Sequence, residues 1–215
     1  MPTEKSRKAG LVLLVSLLAL GSCLFGMSRP DKWATPVPSK TLKNWYRVSA
    51  DVYRSEQPTR EGFMEIRAKG IKTIVNLRSH HSDAALIEGL GLGLVEVPMN
   101  AARFGEEDIV KALRAIRDAP KPVLVHCQFG SDRTGVVIAM YRIIFEGWTK
   151  EEALAELRDG GFGFHPYYTN IPRFVLGADP AAIREKLKSG SGPSGDTNRH
   201  HERPGVLPLA WEPAD

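Results

Sequence analysis

Cysteine is scarce in this chain. Cys23 and Cys127 are the only two among 215 residues, which excludes a small fold stapled by several disulfides. Long apolar runs are missing too. The stretch Leu11–Leu20 has ten residues, about half of the ~20 that a helix needs to cross a bilayer comfortably. Basic excess is slight. The formal charge is +4, of which Lys5, Arg7 and Lys8 against Glu4 supply +2. With no basic tract in the remainder, the balance gives no case for a nucleic-acid partner. No internal repeat is visible. His80, His81 and His165 lack the spacing of a metal site, so solvated loop histidines are the default, and neither a metal nor another cofactor is expected.

What is present begins with an export signal. Lys5, Arg7 and Lys8 precede the apolar run, and residues 1–22 read as a signal peptide. The run ends Leu20-Gly21-Ser22-Cys23, which resembles the bacterial lipobox, with Cys23 as the residue to be lipidated. An ordinary cleaved signal and an uncleaved anchor, extended through Leu24, Phe25 and Met27, are the alternatives. All three place the remainder outside the cytoplasm, in the periplasm or cell envelope, and two of them tether it to a membrane. A lipidated Cys23 leaves Cys127 without an intramolecular partner. A lone thiol in an oxidising compartment is a liability, so its presence favours a chemical role.

Residues 23–44 read as a tether, punctuated by Pro30, Pro36 and Pro38. A globular domain is expected over 45–188, with a Gly-, Pro- and charge-rich disordered tail over 189–215. Within the domain, Val52-Tyr53-Arg54 suggests a short strand. Thr59 suits the cap of a helix that Gly70 closes. The β-branched run 71–77 reads as a buried strand. A short helix near 83–88, a strand over 94–97, an amphipathic helix over 106–117 and a strand over 123–125 follow. Residues 136–145 are apolar nearly all round and should form a buried helix. Thr149 and Glu152 make a capping box for the next helix, and a last helix is expected near 180–188. This alternation predicts an α/β sandwich, a central sheet of about four to five strands flanked by helices.

The chemistry lies in His126-Cys127-Gln128-Phe129-Gly130-Ser131-Asp132-Arg133-Thr134-Gly135. A strand precedes it and a helix follows, so the loop belongs at the C-terminal edge of the sheet, where ligands bind in such folds. Successive amides from Gln128 to Arg133 can converge on one anion, and the helix N-terminus adds its unpaired donors there. Gly130 permits a backbone conformation barred to other residues, and Gly135 allows close helix packing. Arg133 can grip two phosphoryl oxygens. Cys127 sits at the base, where a helix N-terminus and adjacent cations favour the thiolate. Such a site supports attack on phosphorus, a cysteinyl-phosphate and its hydrolysis by water.

The loop resembles the signature of the protein tyrosine phosphatase superfamily, in its dual-specificity-like branch. Val52 to Pro58, Met140-Tyr141-Arg142, Gly147-Trp148 and Gly160 to Gly163 are similar to exported bacterial members. The resemblance covers roughly residues 45–185. It implies that Cys127 is the nucleophile, that Arg133 and the amides of 128–133 hold phosphate, that Thr134 hydrogen-bonds the cysteine, and that His126 orients the loop from beneath. A phosphorylated protein is then the expected substrate, acted on by a monomer.

One departure stands out. Such phosphatases carry an aspartate general acid on the loop before the helix that precedes the signature strand. Here that loop is Met99-Asn100-Ala101-Ala102-Arg103-Phe104-Gly105, with Ala102 about where the acid belongs. Glu106, Glu107 and Asp108 are possible substitutes, although acids suit a helix start for its dipole alone. Asp132, inside the cradle, is the better candidate and resembles the loop acid of the myotubularin lipid phosphatases. Arg78, Arg103, His165, Tyr167 and Tyr168 are candidates for the pocket rim. Two other functions stay open: a phosphoinositide or other phospholipid phosphatase, and a phosphate-binding module without turnover. A rhodanese-like sulfurtransferase fits poorly, because its loop lacks the Cys-x5-Arg-Thr-Gly frame.

Overall fold

The computed structural model describes residues 29–189. The expected signal peptide, Cys23 and all but the first residue of the expected tail lie outside them. Six strands form one sheet: β1 (Thr35–Pro36), β2 (Tyr46–Arg47), β3 (Val52–Ser55), β4 (Thr73–Asn76), β5 (Gly93–Glu96) and β6 (Val123–His126), in the order β1-β2-β3-β6-β4-β5. The sheet holds one or two strands more than expected, because β1 and β2 add a short antiparallel edge. The four longer strands run parallel, with β6 central between β3 and β4.

Strand alternation divides the interior in two. On β6, Val123, Val125 and the following Cys127 face the larger core, whereas Leu124 faces the smaller one. Val52 and Val75 point with the first set, Tyr53 and Ile74 with the second. Helices α1 (Arg60–Ala68) and α2 (Ala84–Ile87) cover the smaller face. The larger face carries α3 (Glu106–Asp118), α4 (Asp132–Phe145), α5 (Lys150–Asp159), α6 (Asn170–Gly177) and α7 (Pro180–Ser189). Buried strands of this kind read as apolar runs because both faces are covered.

Helix α4 sits at the centre of that layer. Val136, Val137, Ile138, Ala139, Met140 and Ile143 are all buried. Its β-branched residues are mediocre helix formers, but full burial of one large apolar side chain is worth about 1.5–3 kcal/mol. Packing therefore decides. The helix begins at Asp132, four residues before the apolar pattern, so the second half of the signature is its first turn. Gly135 faces Leu157 of α5 with ordinary contact room for a methyl group, 3.4 Å away. Close packing alone does not demand glycine there.

The caps follow the sequence. Thr59 Oγ1 accepts from the Gly62 amide, and Thr149 and Glu152 form a reciprocal box. Gly70, just past the end of α1, has φ +88°.

The tether expectation over 23–44 needs correction for residues 29–44, which pack on the domain. Ala34 is fully buried and its amide donates to Glu156 Oε1 at 2.6 Å. Arg29 donates to the Gly160 carbonyl and lies over Trp33, Tyr46 and Phe162. Glu156 is itself buried and accepts two bonds from Arg142, at 2.9 and 2.7 Å. This ion pair ties the N-terminal segment to α4 and α5, and polar partners at both ends make its burial tolerable.

Candidate active site

The signature loop leaves β6 at His126 and enters α4 at Asp132. Its shape is set by where its carbonyls go. The Cys127 carbonyl lies 3.3 Å from His126 Nδ1. The Gln128 carbonyl accepts from the Gln57 amide at 3.2 Å. The Phe129 carbonyl accepts from Asn44 Nδ2 at 2.8 Å, and the Gly130 carbonyl from Arg54 Nη2 at 2.6 Å. Four successive carbonyls are thus held outward. The amides of Gln128, Phe129, Gly130 and Ser131 take no acceptor among the described residues, as an anion nest requires.

Gly130 has φ +69°. A β-carbon there would stand 2.5 Å from the Ser55 carbonyl oxygen, so both conformation and space demand glycine. Ser131 Oγ reaches across to the Phe162 carbonyl at 2.7 Å and joins the cradle to the loop after α5.

Cys127 is free and only 2% exposed. Beneath it lies a chain of buried polar groups. His126 Nε2 is 2.8 Å from Asp83 Oδ2, and Gln57 Nε2 donates to Asp83 Oδ1 at 2.6 Å. Burial alone would push the Asp83 carboxyl up. Hydrogen bonds from His126 and Gln57, with the attraction of His126 and His81, outweigh it and hold the carboxyl below its ordinary range. His126 packs edge-on against Phe63.

Arg54 is the buried cation of the site. Its guanidinium carbon lies 3.7 Å from the Phe162 ring centroid, and burial lowers it to about 10 against the pull of Glu156 and Cys127. It stays charged at neutral pH. Arg78 is anchored to Gln57 Oε1 at 2.9 Å. Burial, then the like charge of Arg133, lowers its guanidinium, while Asp83 and Cys127 pull the other way. Two arginines therefore share the electrostatic surroundings of the thiol.

Other expectations need adjustment. Thr134 Oγ1 is buried but makes no hydrogen bond among the described residues, so the expected bond to Cys127 is not formed. Asp132 is buried and already engaged: Oδ1 accepts from the His165 amide at 3.0 Å, and Oδ2 lies 2.8 Å from His165 Nδ1. The other proposed acids are taken up elsewhere. Glu106 and Glu107 pair with Lys186 of α7, and Asp108 caps the Gly105 amide. Ala102 and Arg103 are exposed on the acid-free loop, which is pinned to α6 through Asn170.

Beside the cradle runs an open groove of about 410 Å³, lined by Asn44, Tyr46, Phe129, Ser131, Phe162 and His165, with Gly161 and Gly163. Phe129 and Tyr167 rise from its surroundings, 59% and 69% exposed. Phe129, His165, Tyr167 and Tyr168 form a continuous series of ring contacts. Of the five residues expected at the rim, His165 lines the groove and Tyr167 and Tyr168 contact its ring, whereas Arg78 is tied to Gln57 and Arg103 lies on the loop 99–105. The sequence assigns no role to Arg54, Gln57 or Asp83. A charged residue within a short strand is the one local signal for Arg54.

Known proteins share this fold. Residues 48–147 match a family described as "Polymorphic toxin system, DSP-PTPase phosphatase". The dual specificity protein phosphatase TpbA of Pseudomonas aeruginosa (strain UCBPP-PA14) is 33% identical over 198 residues, covering 87% of this chain and 89% of its own length. The crystal structure of P. aeruginosa TpbA superposes with a TM-score of 0.68 at 32% identity, over 75% of this chain and 99% of that one. A cysteine-to-serine form of TpbA in complex with phosphotyrosine superposes equally well, over 76% of this chain and all of that one. The core catalytic domain of the PP-IP phosphatase SIW14 from S. cerevisiae, 23% identical, shares the fold with a TM-score of 0.62, over 71% of this chain and 95% of that one. The chain therefore belongs to the dual-specificity protein phosphatase family, the cysteine-dependent phosphoric monoester hydrolases of the tyrosine-phosphatase type.

Proposed function

We propose that this phosphatase removes phosphate from phosphotyrosine on proteins outside the cytoplasm, with Cys127 as nucleophile and Arg133 as the phosphate clamp. The outward anchoring of the four carbonyls from Cys127 to Gly130 carries this reading, since it frees the loop amides for an anion directly above the thiol. The thiolate attacks phosphorus and the ester oxygen departs with a proton. Water then opens the S–P bond, releasing inorganic phosphate and regenerating the thiolate. Loop amides, the helix N-terminus and Arg133 stabilise the charge on the equatorial oxygens in both steps.

The phosphotyrosine complex of TpbA supports the choice of substrate, as does the exposed aromatic ring of Phe129 at the rim, a surface suited to an aryl group. The phospholipid alternative draws on Asp132 as a loop acid, on the acid-free loop 99–105 and on the membrane tether; the first of these is weakened, because the Asp132 carboxylate is bonded to His165. The basic and apolar N-terminus with Leu20-Gly21-Ser22-Cys23 supports export and lipid anchoring at Cys23. Among the described residues no helix is long and apolar enough to cross a membrane.

Steady-state phosphate release from phosphotyrosyl and phosphoseryl peptides and from phosphoinositide vesicles tests the substrate. The phosphotyrosyl peptide should be preferred. Preference for the vesicles would overturn the assignment. Mass spectrometry of the mature protein tests the anchor: a diacylglyceryl adduct on Cys23 is expected, and an unmodified cysteine would refute it.

A further inference from the structure

We propose that His165, held by Asp132, is the proton donor to the leaving group, in place of the aspartate that the loop 99–105 lacks. The inference rests on the phosphatase reading above and deepens it. Phosphoryl transfer to Cys127 leaves an oxygen that must be protonated unless it is a good leaving group, and a positioned acid contributes about 10²–10⁴-fold. No side chain of the loop 99–105 is acidic. Glu106 and Glu107 face Lys186, and Asp108 caps its own helix. Asp83 is wholly buried beneath the loop, bonded to His126 and Gln57.

Glu56, whose backbone lies against Gly130, accepts from the Lys43 amide at 3.2 Å, and the acid within the cradle itself is Asp132, adjacent in sequence to the phosphate-gripping Arg133. Both its oxygens are committed to His165, one to the amide and one to Nδ1. That pairing fixes the ring through two bonds and leaves Nε2 as its unassigned nitrogen. The ring lines the groove with Phe129 and Ser131 of the cradle, and its side chain is 37% exposed. Phe129 contacts it from the cradle side, and Tyr167 and Tyr168 from its own loop. A carboxylate orienting an imidazole from behind is the arrangement that fixes its tautomer and presents the second nitrogen outward. The charged and titratable groups in contact with it are Asp132 from α4 and Tyr167 and Tyr168 from its own segment.

The step balances without any added reagent. As the S–P bond forms and the P–O bond breaks, the Nε2–H proton passes to the departing oxygen, giving an alcohol or phenol. The neutral imidazole then takes a proton from the water that opens the S–P bond, and the thiolate leaves. His165 ends protonated as it began.

The test is a leaving-group series, measured on the full chain as wild type, His165→Gln and Asp132→Asn. Aryl phosphates from strongly activated phenols to tyrosine-like ones supply the series. For His165→Gln, kcat/KM should fall about 10²-fold for the tyrosine-like ester and less than about threefold for the most activated one. The alkaline limb of the pH profile should disappear. Asp132→Asn should fall in the same sense, less steeply. If His165→Gln does not fold, the wild type alone decides: its dependence on leaving group should steepen as pH rises through the alkaline limb. An equal loss for every leaving group, or a wild-type slope independent of pH, overturns the proposal while leaving the phosphatase reading intact. Wild type that releases phosphate from none of these esters fails that reading, and the proposal with it.

Discussion

Arg54 Nη2 donates to the Gly130 carbonyl at 2.6 Å from a position with essentially no solvent contact. A fully buried arginine thus holds the turn of the cradle from below, with Phe162 stacked on its other side. The bond joins residues 76 positions apart and fixes the peptide whose amide must point at phosphate. Positive charge under the thiol comes with it.

Arg54→Met is expected to lower kcat/KM at least tenfold and to slow alkylation of Cys127 by iodoacetamide at pH 7. It leaves the buried Gly130 carbonyl unpaired, at a cost of about 1–3 kcal/mol in stability. Denaturant titration and alkylation rates check the two effects separately. An unchanged alkylation rate would confine Arg54 to a mechanical role.

Gly130→Ala places a methyl group against the Ser55 backbone at a positive φ. Backbone cannot yield as a flexible side chain can, so the loop must move. Activity should fall more than tenfold, and oxyanion affinity, measured with vanadate or inorganic phosphate, should fall in parallel. Gly135→Ala, where the contact is ordinary, should keep activity within about threefold and helps by its better helix propensity.

Asp83 supplies a pH dependence of stability. Its carboxyl is held below its ordinary value, so the ionised form stabilises the fold. That contribution is complete above the unfolded carboxyl's pKa of about 3.9 and is lost as pH falls through the lower folded value. Asp83→Asn should therefore be less stable than wild type at pH 7, and the gap should close in acid. Melting temperatures across that range give the comparison; a gap that persists at the acid end contradicts it.

Much of this was legible in the sequence because it is local. The caps at Thr59 and Thr149, the buried strands and the apolar helix α4 depend on near neighbours and on burial. The cradle was legible for the same reason, since its ten residues are contiguous. Its supports were not. Arg54, Asn44, Gln57 and Asp83 act on the loop from sequence positions 43–85 residues away, and no local pattern announces such a pairing. Residues 29–44 read as a tether from their prolines and few apolar groups, whereas polar bonds and cation–π contacts attach them. Pro172 obscured α6, although proline is tolerated in the first turn of a helix, where it stands.

Arg142 and Glu156 provide a test of that attachment. Arg142→Met strands a buried carboxylate at Glu156, which should cost about 3–5 kcal/mol and expose the segment 29–36 to proteolysis. A loss below about 1 kcal/mol would show that the pair contributes little.

The most direct measurement is acid quenching of the full chain during turnover of a phosphotyrosyl peptide under reducing conditions, followed by peptide mass analysis. One phosphoryl group is expected on the peptide containing Cys127, with continuous phosphate release by the wild type and neither signal in Cys127→Ser. Phosphate release that survives in Cys127→Ser would contradict a cysteinyl-phosphate at this loop.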